Sequence, residues 1–200
     1  MDVSRQRSFL ERYESGQIPW DDQMPPPELI ALAEQLDPGK ALDLGSGYGR
    51  SSIYLAVHGW QVDGIEFVSL AVDESRRRAQ QAGVDHLTDF HVADVADLGI
   101  LKGTYDLALD IGCMHTLKVP ELESYRDELK RLLSSGAHYL LFAHIRDLED
   151  DSEEAARWIE EASVRALFTD GFLLSEVVHG ITKVANKAPW PSAWFHYHRL

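Results

Sequence analysis

Three glycines at alternate positions, 45, 47 and 49, follow the apolar stretch KALDL and precede the amphipathic stretch RSSIYLAV. A strand, a glycine turn and a helix in that order make one arrangement natural. The strand enters a sheet, the chain reverses tightly, and the helix returns along the sheet face. The next strand must then lie parallel to the first. The same alternation continues down the chain. WQVDGIE reads as a strand, followed by a helix from an N-cap at Ser69 to Gln81, closed by Gly83. LTDFHVAD and YDLALDIG are further strands. Pro120 fits the first position of a helix reaching Leu133, and AHYLLFAHI is a buried strand. Asp151 and Glu154 offer a capping box for a helix to Phe168. FLLSEVVHGITK and SAWFHYHRL have only the turn VANKAPWP between them, so they must pair antiparallel.

The expected fold is therefore α/β: a Rossmann-like single domain, with a mostly parallel seven-stranded sheet, helices on both faces and a C-terminal antiparallel hairpin. Residues 40–200 form that domain. Residues 1–39 form an N-terminal helical segment whose Pro-rich stretch, GQIPWDDQMPPPEL, suits a lid.

Charge and composition exclude several partners. The formal net charge is −14, and the one dense basic run, Arg76-Arg77-Arg78, lies on a predicted helix face. A nucleic-acid partner is not expected. No apolar run approaches membrane-spanning length, and MDVSRQRSFLERYESGQIPW lacks the apolar core of a signal peptide, so a cytoplasmic protein without membrane contact is expected. Cys113 is the sole cysteine, which excludes an intrachain disulfide. His196 and His198 share one face of the last strand, but with no third ligand evident a metal is not expected. Whether the chain is a monomer or a homodimer is left open.

In an open parallel sheet, ligands sit beyond the carboxyl ends of the strands, where the strand order reverses. Four successive strands end there in acids: Asp43, Glu66, Asp94 and Asp110. With the loop Gly45-Ser46-Gly47-Tyr48-Gly49 they mark a ligand site. A dinucleotide fingerprint would place its third glycine at position 50, which is Arg50; that weakens an NAD-linked oxidoreductase.

These motifs identify a family. LDLGSGYGR, GIEF, VADV and DIGCMHTL resemble, in order, the motifs of the class I S-adenosylmethionine-dependent methyltransferases. The match spans Lys40 to Leu117 in motifs and nearly the whole chain in element order. Within the class, GRSSIYLAVHGWQVDGIE and PWDDQMPPPEL look most like small-molecule enzymes of the thiopurine and tellurite-resistance type. The resemblance implies methyl transfer from S-adenosylmethionine to a small-molecule acceptor. It also implies roles. Gly45, Ser46 and Gly47 would run along the methionine and ribose, and Glu66 would bind the ribose hydroxyls with Phe67 beside the adenine. Asp94 would accept from the adenine amino group, with the Val95 backbone at a ring nitrogen. Asp43 and the backbone of Asp110 and Ile111 would hold the ammonium. Tyr13 and Trp20 would fold over the cofactor from the lid.

On the acceptor side, His115 just past the fourth strand is the candidate catalytic group, as a base or an orienting ring. His144 and Arg146, past the fifth strand, are candidate substrate contacts. Three rival readings stay open: a non-catalytic adenosylmethionine sensor, the NAD-linked enzyme, and aminopropyl transfer, which Asp21 and Asp22 leave open. Nucleic-acid amino-methylation is disfavoured, because DIGCMH lacks a Pro-Pro-aromatic pattern.

Overall fold

The structure is a computed structural model and describes residues 2–153, 155–184 and 188–200. Seven strands form one sheet: β1 (Lys40–Leu44), β2 (Gln61–Glu66), β3 (Thr88–Val92), β4 (Tyr105–Ile111), β5 (Leu133–His144), β6 (Phe172–Thr182) and β7 (Trp190–Arg199). Their order is β3-β2-β1-β4-β5-β7-β6. β1 to β5 are parallel, and β7 runs antiparallel to both β5 and β6. This is the expected sheet, with β7 lying inside it and β6 at the edge. The chain order reverses between β1 and β4, next to the glycine loop.

Among the described residues six α-helices complete the fold: α1 (Val3–Ser15), α2 (Pro27–Ala33), α3 (Arg50–Val57), α4 (Ser69–Ala82), α5 (Val119–Leu132) and α6 (Glu161–Leu167). On one sheet face Leu29, Leu32, Leu55 and Val72 pack on Ala41, Val62, Leu107 and Leu109. On the other, Tyr125, Leu129, Val164 and Phe168 pack on Leu42, Leu44, Tyr139 and Phe195. The alternation of side chains along β1, with Ala41 to one layer and Leu42 to the other, feeds both cores. α1 forms a third cluster, in which Tyr13 meets Val68 and Ala71.

Local chemistry sets the helix ends. Asp2 caps α1 by accepting from the Ser4 and Arg5 amides, and Gly16 ends it in the left-handed region. Gly83 ends α4 as expected, but its start differs. Ser69 is the first helical residue and Val68 the cap position; the Val68 amide donates to Glu66 Oε1 at 2.9 Å. No side chain caps α4; the Glu66 carboxylate holds only the amide of the cap residue itself. Pro120 takes the second position of α5, behind Val119. The expected long helix from Asp151 is absent: a 3-10 turn covers Ala155–Arg157 and α6 begins at Glu161. Glu154, half of the expected capping box, lies outside the described residues, as do positions 185–187 of the expected VANKAPWP turn. Among the described residues no helix is long and apolar enough to cross a membrane.

Candidate active site

The glycine loop sits between β1 and α3, and its tightness is forced by its neighbours. Gly45 has φ 75°, and a Cβ there would come 2.6 Å from Cys113 Cβ. Gly47 has φ 54°, and a Cβ would lie 3.3 Å from the Tyr13 hydroxyl and 3.9 Å from Trp20 Nε1. Both positions need glycine, for backbone angle and for space. The Gly45 and Ser46 amides donate to the Ile65 carbonyl at 2.9 Å, which pins the loop to β2. Ser46 Oγ is buried and has no partner among the described residues.

The strand-end acids divide into two kinds. Asp43 and Asp110 are internal. Ser52 Oγ donates to Asp43 Oδ2 at 2.6 Å, tying β1 to α3. Burial pushes the Asp43 carboxyl up to about 6. Asp110, fully buried, accepts from the Cys113 amide (2.7 Å), the Met114 amide (2.9 Å) and the Tyr125 hydroxyl (2.8 Å). It thereby folds the β4 loop, and burial outweighs those donors to push it up to about 7. Ile111 is half-buried at the end of β4. Glu66 and Asp94 lie at the ends of β2 and β3. Glu66 is 4% exposed, accepts from the Tyr13 hydroxyl at 3.2 Å, and is raised above the ordinary glutamate range by burial. Asp94 accepts from the Ala96 amide at 3.0 Å, and Val95 beside it is buried.

The N-terminal segment folds over this edge. Tyr13 packs edge-on to Trp20 at 5.9 Å and against Tyr48 at 5.0 Å, while Phe9 meets Trp20 and Phe67 at 5.7 and 5.6 Å. Two bidentate ion pairs are among the polar contacts that hold it. Arg78 pairs with both Asp21 oxygens at 2.8 Å, and Arg5 pairs with both Glu121 oxygens at 2.7 and 2.9 Å. Sequence reasoning missed both pairs, since each joins residues more than fifty positions apart.

A second group lies past β4 and β5. His115 stacks on His144 at 4.5 Å, and its Nδ1 accepts from the His144 amide at 3.3 Å. The remaining ring proton is then on Nε2. Burial first, then the His144 ring, push His115 down to about 3, and burial pushes His144 down to about 4. Trp158 and Trp190 stack at 5.8 Å, and His144 stands edge-on to each at 4.5 and 5.2 Å. Arg146 bonds Glu160 through Nη1 at 3.3 Å. His144 Nδ1, Arg146 Nε and Trp190 Nε1 are all buried without a partner among the described residues. The structure thus brings His115, His144 and Arg146 to one edge and adds Trp158 and Trp190. Neither tryptophan was legible as a site residue, because only the β5–β7 pairing and the turn before α6 bring them there.

Comparisons with known proteins bear on the family and the fold. The family model described as "Methyltransferase domain" matches residues 41–136. A 2-heptyl-1-hydroxyquinolin-4(1H)-one methyltransferase from Mycobacteroides abscessus is 29% identical over 124 residues, 62% of this chain and 54% of that protein. Ajmaline N-methyltransferase from Rauvolfia serpentina is 30% identical over 147 residues, 70% of this chain and 50% of that protein. The chain spans about half the length of these curated relatives. Among solved structures, the Burkholderia thailandensis 1,6-didemethyltoxoflavin-N1-methyltransferase, with 1,6-didemethyltoxoflavin and S-adenosylhomocysteine bound, superposes with a TM-score of 0.76 at 22% identity, covering 97% of this chain and 86% of that one. With the sheet order and the glycine loop, the match over residues 41–136 identifies in this chain a methyltransferase domain of the class I S-adenosylmethionine-dependent kind.

Proposed function

We propose that the protein transfers a methyl group from S-adenosylmethionine to a small, flat acceptor that presents lone pairs. The observation carrying this reading is the set of orphaned buried polar atoms at the ligand-facing edge: Ser46 Oγ in the glycine loop, and His144 Nδ1, Arg146 Nε and Trp190 Nε1 beyond β5. Buried polar groups without partners are costly and rare in native proteins. Here they flank the loop and the aromatic group, as a two-part ligand site requires.

The residues fit the cofactor. Gly45 and Gly47 let a ligand approach the backbone closely, and the Glu66 carboxylate already accepts one hydroxyl, that of Tyr13, at the place where a ribose would offer two. Phe67 supplies an apolar face for the adenine, with Asp94 and the Val95 amide reading its edge. Asp43 braces α3 through Ser52, and the backbone of Asp110 and Ile111 serves the ammonium. Tyr13 and Trp20 close the lid formed by residues 1–39 and exclude water. When bound, the cofactor supplies a methyl carbon on a sulfonium, already a good leaving group.

The chain's main work is to align the acceptor. Trp158 and Trp190 with His144 offer flat apolar faces. The Trp190 and Arg146 N–H groups only donate, so the acceptor must carry lone pairs, as in a phenol, a carbonyl-bearing heterocycle or a ring nitrogen. A histidine held near 3 is unprotonated at neutral pH but too weak a base to remove a proton efficiently, so His115 serves to orient the acceptor through Nε2–H.

The test has two parts. Calorimetry should show adenosylhomocysteine binding and no NAD binding. A panel of small phenols, hydroxylated heterocycles, amines and thiols with labelled cofactor should then give methylated product from the flat heteroaromatic members. Cofactor binding with no turnover across the panel would favour a sensor instead.

A further inference from the structure

A second cluster of chemically capable side chains lies away from the cofactor edge. His196 and His198 alternate along β7, and the β5–β7 register sets His138 directly opposite His198. The third ligand that the sequence alone did not reveal is therefore supplied across the strands. The three half-buried rings converge so that one nitrogen from each lies within 4.8 Å of the others. His138 Nδ1 is 2.9 Å from His196 Nε2, and the His138 and His198 ring centroids are 4.6 Å apart. In a tetrahedral site with metal–nitrogen bonds of about 2.0–2.1 Å, ligand nitrogens stand about 3.3 Å from one another. The observed cluster brackets that spacing.

We propose that His138, His196 and His198 form a binding site for a divalent transition-metal ion, with Zn²⁺ the best match. Three imidazoles of borderline softness suit zinc, copper or nickel and do not suit magnesium or calcium, which take oxygen ligands. His138 also lines a hollow of about 280 Å³ that it shares with Asp37, Trp60 and Asp106. The hollow gives a fourth position room for water, and its two carboxylates, with Glu176 opposite His196 on β6, favour a cation nearby. His138 precedes His144 by six residues on β5, roughly 20 Å along the strand. The ion would therefore be remote from the acceptor group and would fasten β7 to β5 at the other end of the pair.

The experiment uses chelator-treated, tag-free protein titrated with Co²⁺, read by ligand-field absorption, and with Zn²⁺, read by calorimetry. One equivalent of each should bind, and Zn²⁺ should raise the thermal unfolding midpoint. His196→Gln and His198→Gln should each weaken binding at least about 10-fold, since even loss of an outer-shell partner costs that much. His91→Gln, in the separate Asp63–Asp89–His91 group, should leave binding unchanged. Near-ultraviolet circular dichroism checks that the variants fold, and the unsubstituted protein alone suffices to refute the site. No stoichiometric binding to it, or binding that survives both glutamine substitutions, would overturn the proposal.

Discussion

Replacing Tyr13 with Phe separates the lid's apolar role from its polar one. The Tyr13 hydroxyl donates to Glu66 Oε2 at 3.2 Å, and both side chains are buried, at 6% and 4% exposure. The phenyl ring left behind would still pack on Trp20 and Tyr48. Glu66 would keep the Val68 amide at 2.9 Å but lose the hydroxyl. A hydrogen bond to a charged group contributes about 1.5–3 kcal/mol, and the ligand-free variant should be destabilised by about that much. If a ribose takes the place of the hydroxyl on Glu66, the ligand-bound state loses nothing. Tyr13→Phe should then bind adenosylhomocysteine more tightly, by the same free energy, which is about 10- to 150-fold in Kd. Titration calorimetry measures the affinity, and urea unfolding without ligand measures the stability. Lower stability with unchanged or weaker affinity would refute the displacement, and would mean that the hydroxyl stays engaged in the bound state.

Three further outcomes are expected. The Asp110 carboxyl is raised from 3.8 to about 7, so its neutral form favours the fold; that stability is complete below pH 3.8 and lost as pH rises to about 7. At about 1.4 kcal/mol per pH unit the loss is about 4 kcal/mol, and urea unfolding of Asp110→Asn should lack it; parallel pH profiles for the two proteins would contradict this. His115→Ala should slow transfer by roughly 10²-fold, with cofactor affinity unchanged in calorimetry; since the ring orients and does not titrate near neutrality, the pH–rate profile above pH 5 should keep its shape. Gly45→Ala puts a methyl 2.6 Å from Cys113 Cβ at a positive φ, and should cost about 1–3 kcal/mol in urea unfolding and more in cofactor binding than in stability.

The residues proposed to hold the cofactor were readable as candidates because they are local. The glycines, Glu66, Asp94 and Asp110 each sit within a few residues of an apolar strand end, and a parallel sheet aligns those ends without further information. Of the residues proposed to meet the acceptor, His115, His144 and Arg146 were readable as candidates, since they follow strands in the same way. Trp158 and Trp190 do not. One lies in the turn before α6 and the other at the start of β7, and only the β5–β7 register brings them to His144. His138 is the same case, since nothing in AHYLLFAHI says which β7 residue it will face. The misread ends have local causes. Ser69 falls one position inside α4, where Val68 takes the cap position in extended conformation and no side chain caps the helix. A 3-10 turn at Ala155–Arg157 stands where the helix from Asp151 was expected, so acidic composition alone did not secure a long helix.

The position of β7 has a consequence for how the molecule comes to be. It lies between β5 and β6 although it follows both in the chain. A polypeptide leaving the ribosome N-terminus first exposes β5 as an open edge, and β6 with no neighbour, until Trp190–Arg199 has emerged. Until that moment Leu141 and Phe142 have cross-strand partners only on the β4 side, and Val177 has none. Until then an unpaired apolar edge can recruit a strand from another chain, which is the usual route to aggregation. Sheet completion is therefore gated by the arrival of one late segment. A stop codon placed just before Trp190 would remove β7, and would leave the β5 edge and β6 open to strands from other chains.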